Sequence, residues 1–291
     1  MKERLDVLLT KKGFFPSREK ARTSIMAGLI YVDGCMIDKA GTKVAENLEI
    51  SVKENICPYV SRGGLKLEKA LAEFGLSLDG AVAMDIGAST GGFTDCMLKN
   101  GALKVYAVDV GYGQLDWMLR NDPRVINMEK TNIRYIDAEV VKDKIDVISI
   151  DVSFISLRLV LPVAEKLLSE NGRIICLVKP QFEAGRGQVG KKGIVKDIKV
   201  HEEVINNVMS YGKYCGLNVQ ALTFSPVKGS KGNIEYLLLL SRMDEKDVDV
   251  SKIISDSAAR AVATGSRKRS KFTNINRCMP MQHLQSVRLK K

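Results

Sequence analysis

With 45 lysines and arginines against 34 acids in 291 residues, the chain carries a formal charge of +11, and its length buries a core with room for more than one domain. No apolar run reaches the roughly 18 residues of a membrane span, and Met1-Lys2-Glu3-Arg4-Leu5-Asp6 has no signal-peptide core, which sets membrane proteins aside and points to the cytoplasm. The six cysteines (Cys35, Cys57, Cys96, Cys176, Cys215, Cys278) form no Cys-x-x-Cys pair and have only His201 and His283 to assist them, so they read as small buried residues, with neither a metal site nor a disulfide framework expected.

Residues 1–57 read as a small basic unit. Helical patterning covers residues 5–10, and Pro16-Ser17-Arg18-Glu19 opens a second helix through Ala21, Ile25 and Met26 that stops at Gly28. Short strands follow at residues 29–32 and 48–52, with a turn at Asp33-Gly34. Arg4, Arg18, Lys20 and Arg22 gather here, and excess positive charge is the footprint of a polyanion such as nucleic acid, the plain alternative being a merely basic surface. Residues 55–59, with Pro58, read as a linker.

Over residues 58–243, strand-like runs alternate with helical patterns, the signature of a parallel α/β sheet. Strands are expected at residues 82–87, 104–110, 125–128, 145–152, 173–179, 219–225 and 234–240. Residues 226–233 are too few for a crossover helix, so the last strand runs antiparallel. A mostly parallel seven-stranded sheet with an antiparallel last strand is the Rossmann-like class I methyltransferase architecture, here behind a small α+β unit. Residues 244–291 form a basic tail with no acid after Asp256, read as flexible with a short helix near 253–262 at most.

The apolar run that begins at Ala83 ends in Asp85-Ile86-Gly87-Ala88-Ser89-Thr90-Gly91-Gly92-Phe93, a glycine-rich turn opening a helix. Glycines let the backbone approach a bound molecule, and a helix start offers unpaired N–H groups. The spacing Gly-x-x-x-Gly-Gly departs from the Gly-x-Gly-x-x-Gly that grips a dinucleotide pyrophosphate. Asp109 closes the next strand about 20 residues on, where such folds hold ribose hydroxyls. Turn and acid together describe a nucleoside cofactor without pyrophosphate, which S-adenosylmethionine fits; a dinucleotide or a purely structural turn is the alternative.

Four more polar residues converge. Asp151 and Lys179 stand at the carboxyl ends of strands, where ligands of open α/β sheets sit. Glu235 begins the reversed last strand and so faces the same edge, and Lys66 lies where a helix starts ahead of the first sheet strand. Each has a plainer reading: Lys69 competes with Lys66 on the same helix, Asp151 is an N-cap candidate alongside Ser153 and Ser156, and Glu235 pairs with Lys228 or Lys231 on a rim. Residues 181–193, with Arg186, read as a mobile basic loop over the site, suited to phosphates or simply solvated, and Phe182 as a base-stacking or buried ring.

These motifs resemble the TlyA family of ribosomal RNA 2′-O-methyltransferases, also labelled haemolysin-like, over roughly the first 240 residues. The N-terminal zone is similar to the S4-type RNA-binding module through Arg4-Leu5-Asp6, Ser17-Arg18-Glu19-Lys20-Ala21 and Gly28-Leu29-Ile30-Tyr31-Val32-Asp33-Gly34. The resemblance implies an FtsJ-type catalytic domain with Lys66, Asp151, Lys179 and Glu235 as its Lys-Asp-Lys-Glu tetrad. It also implies S-adenosylmethionine bound by Asp85, Gly87, Ser89, Gly91, Gly92, Phe93 and Asp109. The expected partners are ribosomal RNA or ribosomal subunits, reached through Arg4, Arg18, Lys20, Arg22, Arg62 and Arg186, with no metal and no membrane. Lys179 is either the base for a ribose hydroxyl or the group that orients it, and residue types alone leave that open.

Overall fold

The computed structural model describes residues 2–260 apart from positions 16, 27, 53–56 and 230–231; the linker expectation at 55–56, the tail at 261–291 and the Arg186 side chain lie outside the described residues. The chain divides into two compact units, Met1–Pro58 and Tyr59–Lys291.

The smaller unit contains β1 (Lys2–Arg4), α1 (Leu5–Lys11), α2 (Arg18–Met26), β2 (Ile30–Val32), β3 (Cys35–Ile37), β4 (Lys43–Ala45) and β5 (Ile50–Val52). Leu5, Leu8 and Leu9 recur at helical spacing along α1 and meet Ala21 and Ile25 of α2, with Ile30, Val32 and Val44 closing the core. Asp33 and Gly34 both take positive φ, 47° and 73°, as a two-residue hairpin between β2 and β3 requires.

Asp6 is fully buried in this unit. It accepts hydrogen bonds at 3.0 Å from Arg4 Nε, Arg4 Nη2 and Arg18 Nη2, and these guanidinium bonds, against the cost of burial, hold its carboxyl down at about 2. A lowered folded pKa stabilises above the unfolded carboxyl's value of about 3.9 and is lost as pH falls through the folded one. Circular dichroism is therefore expected to show the unit losing stability between about pH 4 and pH 2. Asp6→Asn should flatten that part of the profile; an unchanged profile would clear Asp6 of responsibility.

The larger unit runs through α3 (Gly64–Phe74), β6 (Val82–Ile86), α4 (Gly92–Lys99), β7 (Lys104–Val108), α5 (Trp117–Arg120), β8 (Val125–Met128), β9 (Ile145–Ile150), α6 (Leu161–Leu167), β10 (Leu168–Val178), α7 (Pro180–Glu183), α8 (Ile198–Tyr214), β11 (Asn218–Phe224) and β12 (Tyr236–Ser241). Residues 250–260 are helical and form α9. The seven strands stand in the order β11-β12-β10-β9-β6-β7-β8. β12 is antiparallel to both of its neighbours, and the pairs from β10·β9 to β7·β8 are parallel.

Every residue of β12 is buried, which is why it reads as an unbroken Tyr-Leu-Leu-Leu-Leu run rather than an alternation. β10 starts five residues earlier than its apolar pattern, because Glu170, Asn171 and Gly172 interrupt the pattern where the register against β9 shifts between Leu168 and Arg173.

Candidate active site

Strand register builds the site. The parallel pairs Ile86↔Ile150 and Ile150↔Cys176 place the ends of β6, β9 and β10 side by side, so the residues that follow them share one edge. The antiparallel pair Val178↔Tyr236 then delivers Glu235 to that edge, next to Lys179. The first turn of α3 supplies Lys66.

The four side chains form one ion network. Lys66 Nζ lies 2.7 Å from Glu235 Oε2 and 3.8 Å from Asp151 Oδ2. Lys179 Nζ pairs with Asp151 Oδ1 and also donates to Val152 O at 2.9 Å and Ser153 Oγ at 3.1 Å. An ammonium has three N–H donors and no lone pair. All three of Lys179 are engaged, which favours the orienting reading over that of a base.

Lys66, Lys179 and Glu235 are buried and Asp151 is partly open; buried charges persist only when paired in this way. Lys69 goes elsewhere, donating to Phe224 O at 2.6 Å with its ammonium 3.7 Å from the Phe224 ring centre, and burial lowers its pKa. Among the described residues the turn that follows Asp151 is capped by Ser156 and the carboxylate of Glu183.

A cleft of about 510 Å3 adjoins the network and shares Asp151 with it. Ile86, Val108, Val110, Ile133 and Ile155 give it apolar walls, while Gly87, Ser89, Asp109, Gln114 and Asn132 supply polar groups, the composition of a small-molecule site. Asp109 is held by Ser89 N–H on Oδ2 at 2.8 Å and by Gly111 N–H on Oδ1 at 2.7 Å. Each oxygen keeps a lone pair, so the carboxylate is aimed and still able to accept hydroxyl donors. Ser89 reaches this bond only with a left-handed backbone, φ 50°.

The members of the glycine turn divide between the cleft and the interior. Gly87, Ser89 and Asp109 line the cleft; Asp85, Gly91, Gly92 and Phe93 do not. A Cβ on Gly91 would stand 2.2 Å from Leu119 Cδ1, and one on Gly92 2.2 Å from Ser61 Oγ and 2.9 Å from Gly64 N. The close approach these glycines permit is to α5 and to the start of α3. Asp85 is a buried brace that accepts from Thr94 N–H and Oγ1 and from Ser149 Oγ, its carboxyl pushed up to about 7 by burial. Phe93 is packed in the interior.

Arg4 and Arg18 converge on Asp6, and with Arg22 they line an open basic hollow on the smaller unit. Lys20 is exposed and Arg62 lies one residue ahead of the Gly63-Gly64 turn into α3.

Several residues here carry no sequence signal. Gln181 Nε2 donates to Glu235 Oε1 at 3.2 Å. Phe154, three residues after Asp151, is 90% exposed, has φ 64° and leans on Phe182 with ring centres 4.8 Å apart. At the end of the 181–193 loop Asn233 Nδ2 donates to Gly193 O at 2.9 Å, and just beyond it Val195 N donates to Asn233 Oδ1 at 3.1 Å and His201 Nε2 meets Val195 O at 3.1 Å. A solitary Asn or His in a sequence is mute about such anchoring.

Among the described residues no cluster of His, Cys, Asp and Glu suits a metal ion, and no helix is long and apolar enough to cross a membrane. Residues 3–50 match the S4 domain, and residues 59–242 match the FtsJ-like methyltransferases. The chain is 55% identical to "Putative rRNA methyltransferase YqxC" of Bacillus subtilis, over 82% of this chain and 85% of that one. It is 39% identical to "16S/23S rRNA (cytidine-2'-O)-methyltransferase TlyA" of Mycobacterium tuberculosis, over 90% and 98%. A solved structure described as "Putative hemolysin from Streptococcus thermophilus" superposes with a TM-score of 0.73 at 46% identity, covering 91% of this chain and 98% of its own. The fold, the shared edge and these relatives agree: the chain belongs to the FtsJ-like methyltransferase family and carries an S4 domain ahead of its methyltransferase unit.

Proposed function

We propose that this protein transfers a methyl group from S-adenosylmethionine to a ribose 2′-hydroxyl of ribosomal RNA. The observation that carries the reading is the Lys66–Asp151–Lys179–Glu235 network, which shares Asp151 with a nucleoside-sized cleft. The TlyA relatives, named for cytidine 2′-O-methylation, supply the substrate class.

S-adenosylmethionine brings an electrophilic methyl when bound. Asp109 accepts its ribose hydroxyls, the apolar walls take its base, and Gly87 and Ser89 supply the polar turn beside it. A neutral 2′-hydroxyl is a poor nucleophile, so alignment is the main contribution the protein makes; as the ribose oxygen takes the methyl from the sulfonium, which is left as a neutral thioether, the hydroxyl proton passes to water. Lys179 is fixed by Asp151 and Val152, and Ser153 Oγ, at 3.1 Å, is the partner that the incoming hydroxyl replaces. Lys66, held by Glu235, keeps Asp151 from turning away. Phe154 stands exposed at the cleft mouth, placed to stack on a base splayed out of the RNA.

The direct test is to incubate ribosomal RNA from cells lacking the protein with S-adenosylmethionine and purified protein, then map 2′-O-methyl groups. A ribose methyl that depends on the protein is expected; methylation of bases alone would defeat the reading.

RNA recognition is assigned to residues 1–57, with the methyltransferase domain at 58–243. Deleting residues 1–57 is expected to leave S-adenosylmethionine binding intact while weakening RNA binding and flattening its salt dependence. Every phosphate that the shortened protein no longer neutralises lowers the slope of log affinity against log salt by roughly 0.7–0.9. Identical slopes for the two proteins would remove the RNA assignment from the smaller unit.

A further inference from the structure

The turn between Gly190 and Ile194 is built more firmly than a solvated loop requires. Gly190 N–H donates to Ile194 O at 3.1 Å and Gly193 N–H to Gly190 O at 2.7 Å, with Gly193 in the left-handed region at φ 72°. Its tip is Lys191-Lys192, both exposed. Its base is Val195, whose two backbone polar groups are both met by buried side chains, the N–H by Asn233 and the C=O by His201. Asn233 adds a second bond, to Gly193 O. The amide of Asn233 therefore grips the turn at two points, acceptor to one side and donor to the other.

Asn233 stands two residues before Glu235, and Tyr236, one residue after it, is tied to His201 through a 2.8 Å bond between Tyr236 Oη and His201 Nδ1. Because His201 Nε2 faces a carbonyl, it carries the ring hydrogen, and Nδ1 accepts from the tyrosine. The lysine turn and the carboxylate that holds Lys66 are thus seated on the same short stretch of chain.

We propose that the Lys191–Lys192 turn grips the phosphates that flank the target nucleotide, and that Asn233 is the positioning residue that sets this grip in register with Glu235. The inference rests on the ribosomal RNA reading above and adds a site to it. Two ammonium groups on a tethered turn bind phosphates with little ordering left to do when RNA arrives.

The test uses the full chain, with ribosomal RNA from cells lacking the protein as the binding probe. The double variant Lys191→Ala/Lys192→Ala is expected to lower the slope of log affinity against log salt by roughly 1.4–1.8, the share of two neutralised phosphates. Asn233→Ala leaves both lysines in place, yet it too should lower the slope, and adding it to the lysine pair should cost little more affinity, because residues acting through one another are not additive. S-adenosylmethionine affinity should be unchanged throughout. Asn233→Ser keeps a neutral group that can donate and accept; it should fall between wild type and Asn233→Ala, and it carries the test should Asn233→Ala lose cofactor binding. A wild-type salt slope in the lysine variant, or effects that simply add, would overturn the proposal. A wild-type protein that places no methyl on ribose would instead defeat the function reading beneath it.

Discussion

Replacing Lys179 by alanine is expected to slow single-turnover methyl transfer by about 10²–10⁴-fold, the range for losing a positioned acid–base or orienting group. The affinity for S-adenosylmethionine should barely move, because Lys179 does not line the cleft. The structure sharpens what the loss consists of. Without the ammonium, Asp151 Oδ1 loses its partner and Lys66, 3.8 Å from Oδ2, is left to restrain the carboxylate alone, while the acceptor of the methyl loses the donor that holds it. A variant with a near-normal rate under single-turnover conditions would take Lys179 out of the reaction.

Asp109→Ala should weaken S-adenosylmethionine binding by about 1.5–3 kcal/mol, the scale of hydrogen bonds to a charged group, with RNA binding close to wild type. Two causes combine. The ribose loses its acceptor, and Ser89 N–H and Gly111 N–H lose the carboxylate that positions their loops. Ser89, already at φ 50°, is left without the bond that holds it there. Calorimetric titration of each ligand separates the outcomes: unchanged cofactor affinity removes Asp109 from the site, and equal loss of both ligands means that the domain itself was damaged.

Much of the sheet was legible because parallel strands covered on both faces are written as apolar runs, and a polar residue closing such a run stands out. Asp151, Lys179 and Asp109 were found in this way. Glu235 followed from the length of the segment before it, too short for anything but a reversal. Periodicity failed at β1, β3 and β4, three residues each, whereas β2 and β5, equally short, were legible because Leu29 and Leu48 lengthen their apolar pattern. It could not separate Lys66 from Lys69 either, since one helical turn apart they share a face, and only packing sends Lys69 to the Phe224 carbonyl. The glycine turn lies between β6 and α4, with Gly87 and Ser89 at the cleft and Gly91 and Gly92 packed against α5 and the start of α3. Gly91 and Gly92 are required by neighbouring side chains and backbone, and nothing in a sequence tells a glycine that admits a ligand from one that admits a leucine.

Lys66 and Glu235 meet across 169 positions of the chain. Their bond forms only when β12 slots between β10 and β11, and both of those strands precede it in the chain. During synthesis the cleft-forming part of the sheet, β6 to β9, leaves the ribosome well before residue 235 does. On the proposed assignment, the strands of the cofactor cleft emerge early and Glu235, which seats Lys66, emerges last. If the network acts as proposed, methyl transfer reports on a finished domain, because a chain that stops short of residue 235 lacks the carboxylate that seats Lys66.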